Sequence, residues 1–292
     1  VTGGILAAVA GAVGSPIADA RSVAGGDVNR ALRVVLGDGR VLFVKHRDGM
    51  PADVYRAEGE GLAWLGQAKA LRLPEVVAIG EGEPAFLALE WIERGEPGPD
   101  RDERLGRGLA ALHASGADTF GLPQDNWIAS LPQPNAPCAT WPEFYAQRRL
   151  APLARRAVTA GLLPSSTLDR VDRLADRLPD LCGPAEPPAR LHGDLWGGNA
   201  MTGPAGEPVL IDPAVYGGHR EMDLAMMRLF GGFSARVFAA YEEAFPLAPG
   251  HAERVALYQL YPLLVHVVLF GGGYAASFGQ ALLRYSPRKT AL

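Results

Sequence analysis

Near residue 93 the patterning of this chain changes from that of a sheet to that of helices, and this change limits the folds open to it. Before it, Ala31–Leu36 (ALRVVL) and Val41–Lys45 (VLFVK) read as strands joined by Gly37-Asp38-Gly39. Asp and Gly tolerate the positive φ of a tight hairpin, so the two strands are expected to pair antiparallel. A helix is expected from about Ala52 to Ala70, with Tyr55, Leu62 and Leu65 near one stripe and Glu58 within it. Val76–Ile79 and Ala85–Trp91 follow as strands, split by the turn-like GEGEP at 80–84. Glu93–Pro99 (ERGEPGP) is polar and rich in breakers, and reads as a linker. Beyond it Leu105, Leu109 and Leu112 recur at helical spacing, and further helices are expected over 141–160, 166–178 and from Glu221 onward. Two short apolar strands, Arg190–Leu191 and Val209–Ile211, are expected to form a pair inside that helical region. The expectation is an α+β chain in two lobes. Residues 1–93 form a small β-rich N-lobe with one helix, and residues 94–292 a larger, mainly helical C-lobe.

Composition excludes several other classes. With 292 residues, 48% hydrophobic and 21% charged, the chain can bury a sizeable core and is not a disordered segment. A net charge of −4 without a basic run argues against a nucleic-acid partner. Cys138 and Cys182 are too few and too far apart for a disulfide framework or a CxxC zinc site, and are expected as buried thiols in a reducing cytoplasm. Ile5–Val13 (ILAAVAGAV) has the apolarity of a secretion-signal core, but no basic residue precedes it and Arg21 follows. Leu260–Phe270 (LYPLLVHVVLF) is shorter than the roughly 20 residues that cross a bilayer and carries His266, so a buried helix and no membrane partner are expected.

The chemistry concentrates in Arg190–Asp212. It contains His192-Gly193-Asp194-Leu195-Trp196-Gly197-Gly198-Asn199, then Leu210-Ile211-Asp212-Pro213. Asp194 and Asn199 stand at the D-x-x-x-x-N spacing of a kinase catalytic loop. Such an Asp can accept a proton from an attacking hydroxyl, and an Asn across a Gly-containing loop can turn its amide oxygen to a metal. Asp212, at the end of an apolar strand, can be held rigidly as a second hard oxygen ligand, and the set suits Mg²⁺. Upstream, Lys45 ends a strand and Glu58 lies thirteen residues on in the next helix, a pairing that holds a lysine against phosphate oxygens. Glu60 is the rival partner on another face of that helix. Gly25 and Gly26 precede the hairpin, where glycines let backbone N–H groups approach phosphates. Glu90, Trp91 and Ile92 lead into the linker, where backbone groups would meet an adenine.

These stretches resemble the fructosamine kinase (ketosamine-3-kinase) family, within the aminoglycoside-phosphotransferase-like, protein-kinase-like fold. The resemblance is carried by VAGGDVNRALRVVLGDGRVLFVK at 23–45, FGLPQDNWIASLPQPN at 120–135 and WPEFYAQRRLAP at 141–152. Most specific are LHGDLWGGN at 191–199 and LIDPAVYGGHREMDLAMMRLFGGF at 210–233. It implies ATP-dependent phosphorylation, with Mg²⁺, of the 3-hydroxyl of a ketosamine, either a small molecule or a protein-borne glycation adduct, leading to deglycation in the cytoplasm. Matched residue by residue, Asp194 is the proton acceptor, Asn199 and Asp212 the Mg²⁺ ligands, and Lys45 with Glu58 the phosphate-orienting pair. Glu90–Ile92 match the adenine hinge, and Asp223 a carboxylate that braces the catalytic loop. His192 is expected as a further brace. Trp196, His219 and Trp127 are candidate walls of the substrate cleft, although His219, Arg220 and Glu221 could instead shape only the loop.

Three other readings compete. Another small-molecule kinase of the same fold, acting on an aminoglycoside or choline, would use the same chemistry residues. A non-catalytic nucleotide-binding scaffold predicts loss of the base or a metal ligand, yet Asp194, Asn199, Asp212 and Lys45 are all present. A metal hydrolase would gather His192, Asp194, Asp212 and His219 around zinc. Both a monomer and a homodimer are compatible with the sequence.

Overall fold

A computed structural model describes residues 2–23 and 30–285. Helix α1 (Thr2–Val13) precedes strands β1 (Ile17–Val23), β2 (Arg30–Leu36) and β3 (Val41–His46). Helix α2 (Ala52–Gly66) then leads to β4 (Val76–Gly80) and β5 (Phe86–Glu90). The five strands form one antiparallel sheet in the order β1-β2-β3-β5-β4. Strand parity assigns its faces. Leu42 and Val44 of β3 join Leu32, Val34, Phe86 and Ala88 in a core closed by Ile5 and Val9 of α1. Phe43, Leu87 and Leu89 pack on the other face against Tyr55 and Leu62 of α2. Lys45 shares the parity of Phe43, so the pleat itself turns it towards α2.

Two expectations are corrected in this lobe. It has two helices, because Ile5–Val13 packs as core, each fully buried aliphatic side chain contributing about 1.5–3 kcal/mol. Strand β1 was not expected; its burial alternates weakly and most of it is exposed, so its pattern carries little strand signal.

The linker leads to α3 (Arg101–Ala114), the hairpin β6 (Asn126–Ile128) and β7 (Leu131–Gln133), and a long helical run. That run is α4 (Trp141–Phe144), a π-helical segment at Tyr145–Leu150, and α5 (Ala151–Thr159). Helices α6 (Ser166–Ala175) and α7 (Leu178–Leu181) follow, then β8 (Ala189–Leu191), β9 (Ala200–Thr202), β10 (Pro208–Leu210) and β11 (Tyr216–Gly218). The chain closes with α8 (Glu221–Phe230), α9 (Ala235–Ala244), α10 (His251–Tyr258), α11 (Leu260–Phe270) and α12 (Gly273–Leu283). The two strands expected to pair with each other do not. β8 pairs with β11, and β10 with β9, so each short strand clamps one side of the segment between them. Sequence pattern identified both strands but not the unrecognised partners AMT and YGG, which are too short to show a period.

Leu65 of α2 joins Leu105, Leu109, Leu195, Leu224 and Met227 in one core, so the helix that carries Glu58 is rooted in the helical lobe. Arg72 adds a polar tie: it bonds Glu90 at 2.8 Å and also contacts Glu207 of the β9–β10 turn. The expected linker is likewise anchored, Gly95 N–H donating to Thr202 O at 3.2 Å and Gly98 N–H to Gly206 O at 3.1 Å. Helix α11 is buried along most of its length, and no helix among the described residues is long and apolar enough to cross a membrane. Both thiols are free; Cys182 is buried, but Cys138 is only partly covered, contrary to expectation.

Candidate active site

The catalytic segment runs from β8 to β9 and is held by buried hydrogen bonds. Gly193 adopts φ +82°, and a Cβ there would lie 2.0 Å from Ala214 O, so only glycine allows the turn. Asp223 of α8 accepts the N–H groups of His192 (2.8 Å) and Gly193 (2.9 Å) and a third bond from His113 Nε2 (3.1 Å). Burial opposes its charge, but His113 and the Gly193 N–H still hold its carboxyl below the ordinary range. His192 is fully buried. Its Nε2 donates to Ile211 O at 3.0 Å, and its Nδ1 accepts the Asp194 N–H at 3.3 Å. Burial keeps this imidazole's pKa below its usual value, which fits a neutral brace with both nitrogens engaged.

Asp194 stands at the floor of the cleft. Burial first, and the nearby Asp212 carboxylate second, push its carboxyl up to about 7. Asn199 Nδ2 donates to Asp194 O at 2.8 Å, to Asp194 Oδ2 at 3.2 Å and to Asp212 O at 3.4 Å. The amide is thereby oriented, and its Oδ1 is the atom left for a cation. Lys45 bridges the lobes, with Nζ 2.7 Å from Glu58 Oε1 and 2.5 Å from Asp212 Oδ1. Burial alone would lower the Lys45 pKa, but Asp212 and Glu58 hold it well above the ordinary lysine range. Glu60 points to solvent, which removes the rival partner.

A cleft of about 1040 Å³ joins these groups. It is lined by Lys45, Glu58, Asp194, Asn199 and Asp212, by the hinge Glu90–Ile92, and by Trp127 and Trp196. At the hinge, Glu90 N–H is used by Glu75 O (2.8 Å) and Trp91 N–H by Val41 O (3.1 Å). Among the described residues, Ile92 N–H has no such partner, and it is therefore the hinge donor free for a base edge. Trp196 is 44% exposed, and its ring covers Gly198, where a Cβ would come within 2.3 Å. Gly197 in turn packs on Gly232, whose own Cβ would lie 2.9 Å from Gly197 Cα. The paired glycines of WGGN are thus steric requirements, Gly198 of the exposed Trp196 ring near Asp194 and Gly197 of the close approach of Gly232.

His219 is the one described candidate that the structure keeps out of the cleft. It is buried, stacks on Tyr258 (5.2 Å) and packs by Trp141 (6.1 Å), and burial lowers its pKa to about 4. Its neighbours are also structural. Arg220 forks onto Glu186 with both bonds at 2.8 Å, and Glu221 accepts two bonds from Arg254 at 3.0 and 2.6 Å. A motif shows that these residues occur together but not which way they face. Gly25 and Gly26 lie outside the described residues, between the paired ends Val23 and Ala31. The hydrolase grouping does not form: both His192 nitrogens are engaged, His219 lies elsewhere, and no three His, Cys, Asp or Glu side chains among the described residues gather around a metal position. Asn199 Oδ1 and Asp212 instead offer a sparse set of hard oxygens, a kind that suits Mg²⁺ where phosphate oxygens complete the coordination. Sequence reasoning missed His113, which braces Asp223, and also Phe230, His266, Phe270 and Tyr274, which line the cleft; Phe230 falls inside the stretch at 210–233 without being singled out there, and the others carry no motif.

A lysine–glutamate bridge under a five-stranded sheet, facing a D-x-x-x-x-N loop on a helical lobe, defines a two-lobed kinase of the small-molecule phosphotransferase type. At the level of fold, a macrolide 2′-phosphotransferase type I superposes with a TM-score of 0.65 at 19% identity, over 98% of this chain and 96% of that one. The chain belongs to the fructosamine kinase family, whose model matches residues 5–286. A "probable ketoamine kinase" of Synechocystis is 39% identical over 91% of this chain and 90% of its own length. The crystal structure of a candidate fructosamine-3-kinase from Thermobifida fusca has a TM-score of 0.87 at 43% identity, covering 96% of this chain and 98% of that one.

Proposed function

We propose that this chain is an ATP-dependent kinase that phosphorylates the 3-hydroxyl of ketosamines of the fructosamine or ribulosamine type. The observation that carries the kinase reading is the convergence of Asp194, Asn199, Asp212 and the Lys45–Glu58 bridge in one cleft, and the ketosamine substrate is supported by the family match over residues 5–286. Residues 1–93 hold the nucleotide and residues 94–292 the acceptor. Ile92 N–H meets the adenine edge, and the sequence offers Gly25 and Gly26 as backbone donors to phosphate. Lys45, held by Glu58, orients phosphate oxygens. Asn199 and Asp212 would hold Mg²⁺, which would supply charge neutralisation for the transferred phosphoryl group. Asp194 aligns the acceptor hydroxyl and takes its proton as the new O–P bond forms. Positioning and charge stabilisation supply most of the acceleration, because phosphoryl transfer needs little covalent help from protein. Loss of a proton from the amine-bearing carbon gives the enol, which expels the neighbouring 3-phosphate as inorganic phosphate, and water then hydrolyses the resulting imine to free the amine.

The test is ADP release with Mg-ATP over ribuloselysine, fructoselysine, kanamycin and choline. Turnover of the two ketosamines and not the other two is the expected outcome. Turnover of kanamycin or choline alone would retain the kinase and overturn the substrate, and silence on all four would overturn both.

A further inference from the structure

The cleft continues past Asp194 into a wall built by the C-terminal helices. Phe230 ends α8, His266 and Phe270 lie on α11, and Tyr274 on α12. The rings form one cluster around His266, with centroids 4.4 Å to Phe230, 5.0 Å to Tyr274 and 5.5 Å to Phe270. His266 Nδ1 is tied to Pro262 O at 2.8 Å, and burial keeps the ring's pKa below the usual histidine value, so this wall carries no charge at neutral pH. A second observation comes from exposure. Among the described residues only three large hydrophobic side chains are well exposed, and two of them, Trp196 (44%) and Phe270 (54%), border this cleft. Exposed aromatics gathered at a pocket mouth mark ligand contact rather than packing.

The charges point the same way. Glu58, Glu90 and Glu93 belong to the sheet lobe and hinge, Asp212 is engaged by Lys45, and Asp194 faces the reacting hydroxyl. No carboxylate among the described residues remains on the aromatic wall to pair with several ammonium groups. A single ammonium flanked by apolar carbon is what such a wall suits, through ring faces rather than ion pairs.

We propose that Phe270 and Tyr274, with Phe230, His266 and Trp196, form an aromatic clamp for the amine-bearing half of the acceptor. It favours ketosamines whose amine carries an aromatic or bulky apolar substituent over those whose amine carries a small one. The clamp rests on the ketosamine reading above and names the half of the substrate that the catalytic residues do not touch. Phe270 and Tyr274 set specificity; they take no part in proton or phosphoryl transfer.

The test compares the N-methyl and N-benzyl adducts of one ketose, with Mg-ATP, on the wild-type chain and on Phe270→Ala/Tyr274→Ala and Phe270→Tyr. The wild type is expected to favour the benzyl adduct about tenfold in kcat/KM, mostly through KM, a ratio of the size that ring contacts supply. The double variant is expected to lose that preference to within about twofold, and Phe270→Tyr, which keeps a ring, to retain it. Equal use of both adducts by the wild type would overturn the clamp while leaving the kinase reading intact, and so would a preference that survives in the double variant. Failure of the wild type to phosphorylate either adduct would overturn the ketosamine reading and the clamp together.

Discussion

The two ends of the cleft are built by different rules. At the catalytic end polar groups are held by buried partners: Asp223 takes three hydrogen bonds, His192 uses both nitrogens, and Asn199 is fixed by one amide nitrogen. At the acceptor end the groups are rings in contact with rings, with a single backbone hydrogen bond at His266. The first end prescribes atoms to within tenths of an ångström, because charge must be placed where it develops. The second prescribes only shape and polarity. Changes at the catalytic end should therefore cost rate or stability steeply, and changes at the acceptor end should shift preference.

Asp194→Asn breaks the comparison most severely. Loss of the proton acceptor is expected to lower kcat at least ~100-fold with ATP binding retained, measured by ADP release and by calorimetric titration of nucleotide. A near-normal rate would remove Asp194 from its role. Lys45→Met removes the cation between Glu58 and Asp212 and is expected to lower kcat on the order of 100-fold, the scale of one lost electrostatic donor. Asp223→Ala touches no substrate but strands the buried donors of His192, Gly193 and His113. A stability loss of about 3 kcal/mol in urea unfolding is expected, and a loss under about 1 kcal/mol would show that the loop braces itself.

Gly232→Ala sharpens the comparison, because it sits where the ends meet. Gly232 has φ +88° and its Cβ would press on the Gly197 backbone, the residue next to Trp196, so that backbone must shift. A stability cost of about 1–2 kcal/mol is expected. Acceptor KM should rise more than ATP KM in steady-state kinetics. Phe270→Ala is the mildest change: at 54% exposure its effect on Tm should be within about 0.5 kcal/mol equivalent, with the acceptor preference alone moving.

The catalytic end was legible in the chain because its information is local. Asp194 and Asn199 lie in one loop, and Asp212 follows within a hairpin, so short spacing encodes their geometry. Lys45 was legible as the end of an apolar strand, and Glu58 by its place thirteen residues on in the next helix. His219 was not: it falls in the same motif as Arg220 and Glu221, but its orientation is set by Tyr258 and Trp141, far along the chain. Strand β1 and the partners of β8 and β10 stayed hidden because segments this short or exposed show no period.

By itself the sequence determined the order of sheet then helices, the strand that ends at Lys45, and the loop that carries Asp194 and Asn199. These follow from turn chemistry and from the two-residue and 3.6-residue periods, which act over a few neighbours. Only the tertiary structure decided that α1 closes the sheet, that His113 braces the loop through Asp223, and that Phe230, His266, Phe270 and Tyr274 line one cleft with Trp196. Those contacts join residues tens of positions apart, and burial selects them only once the helices have packed.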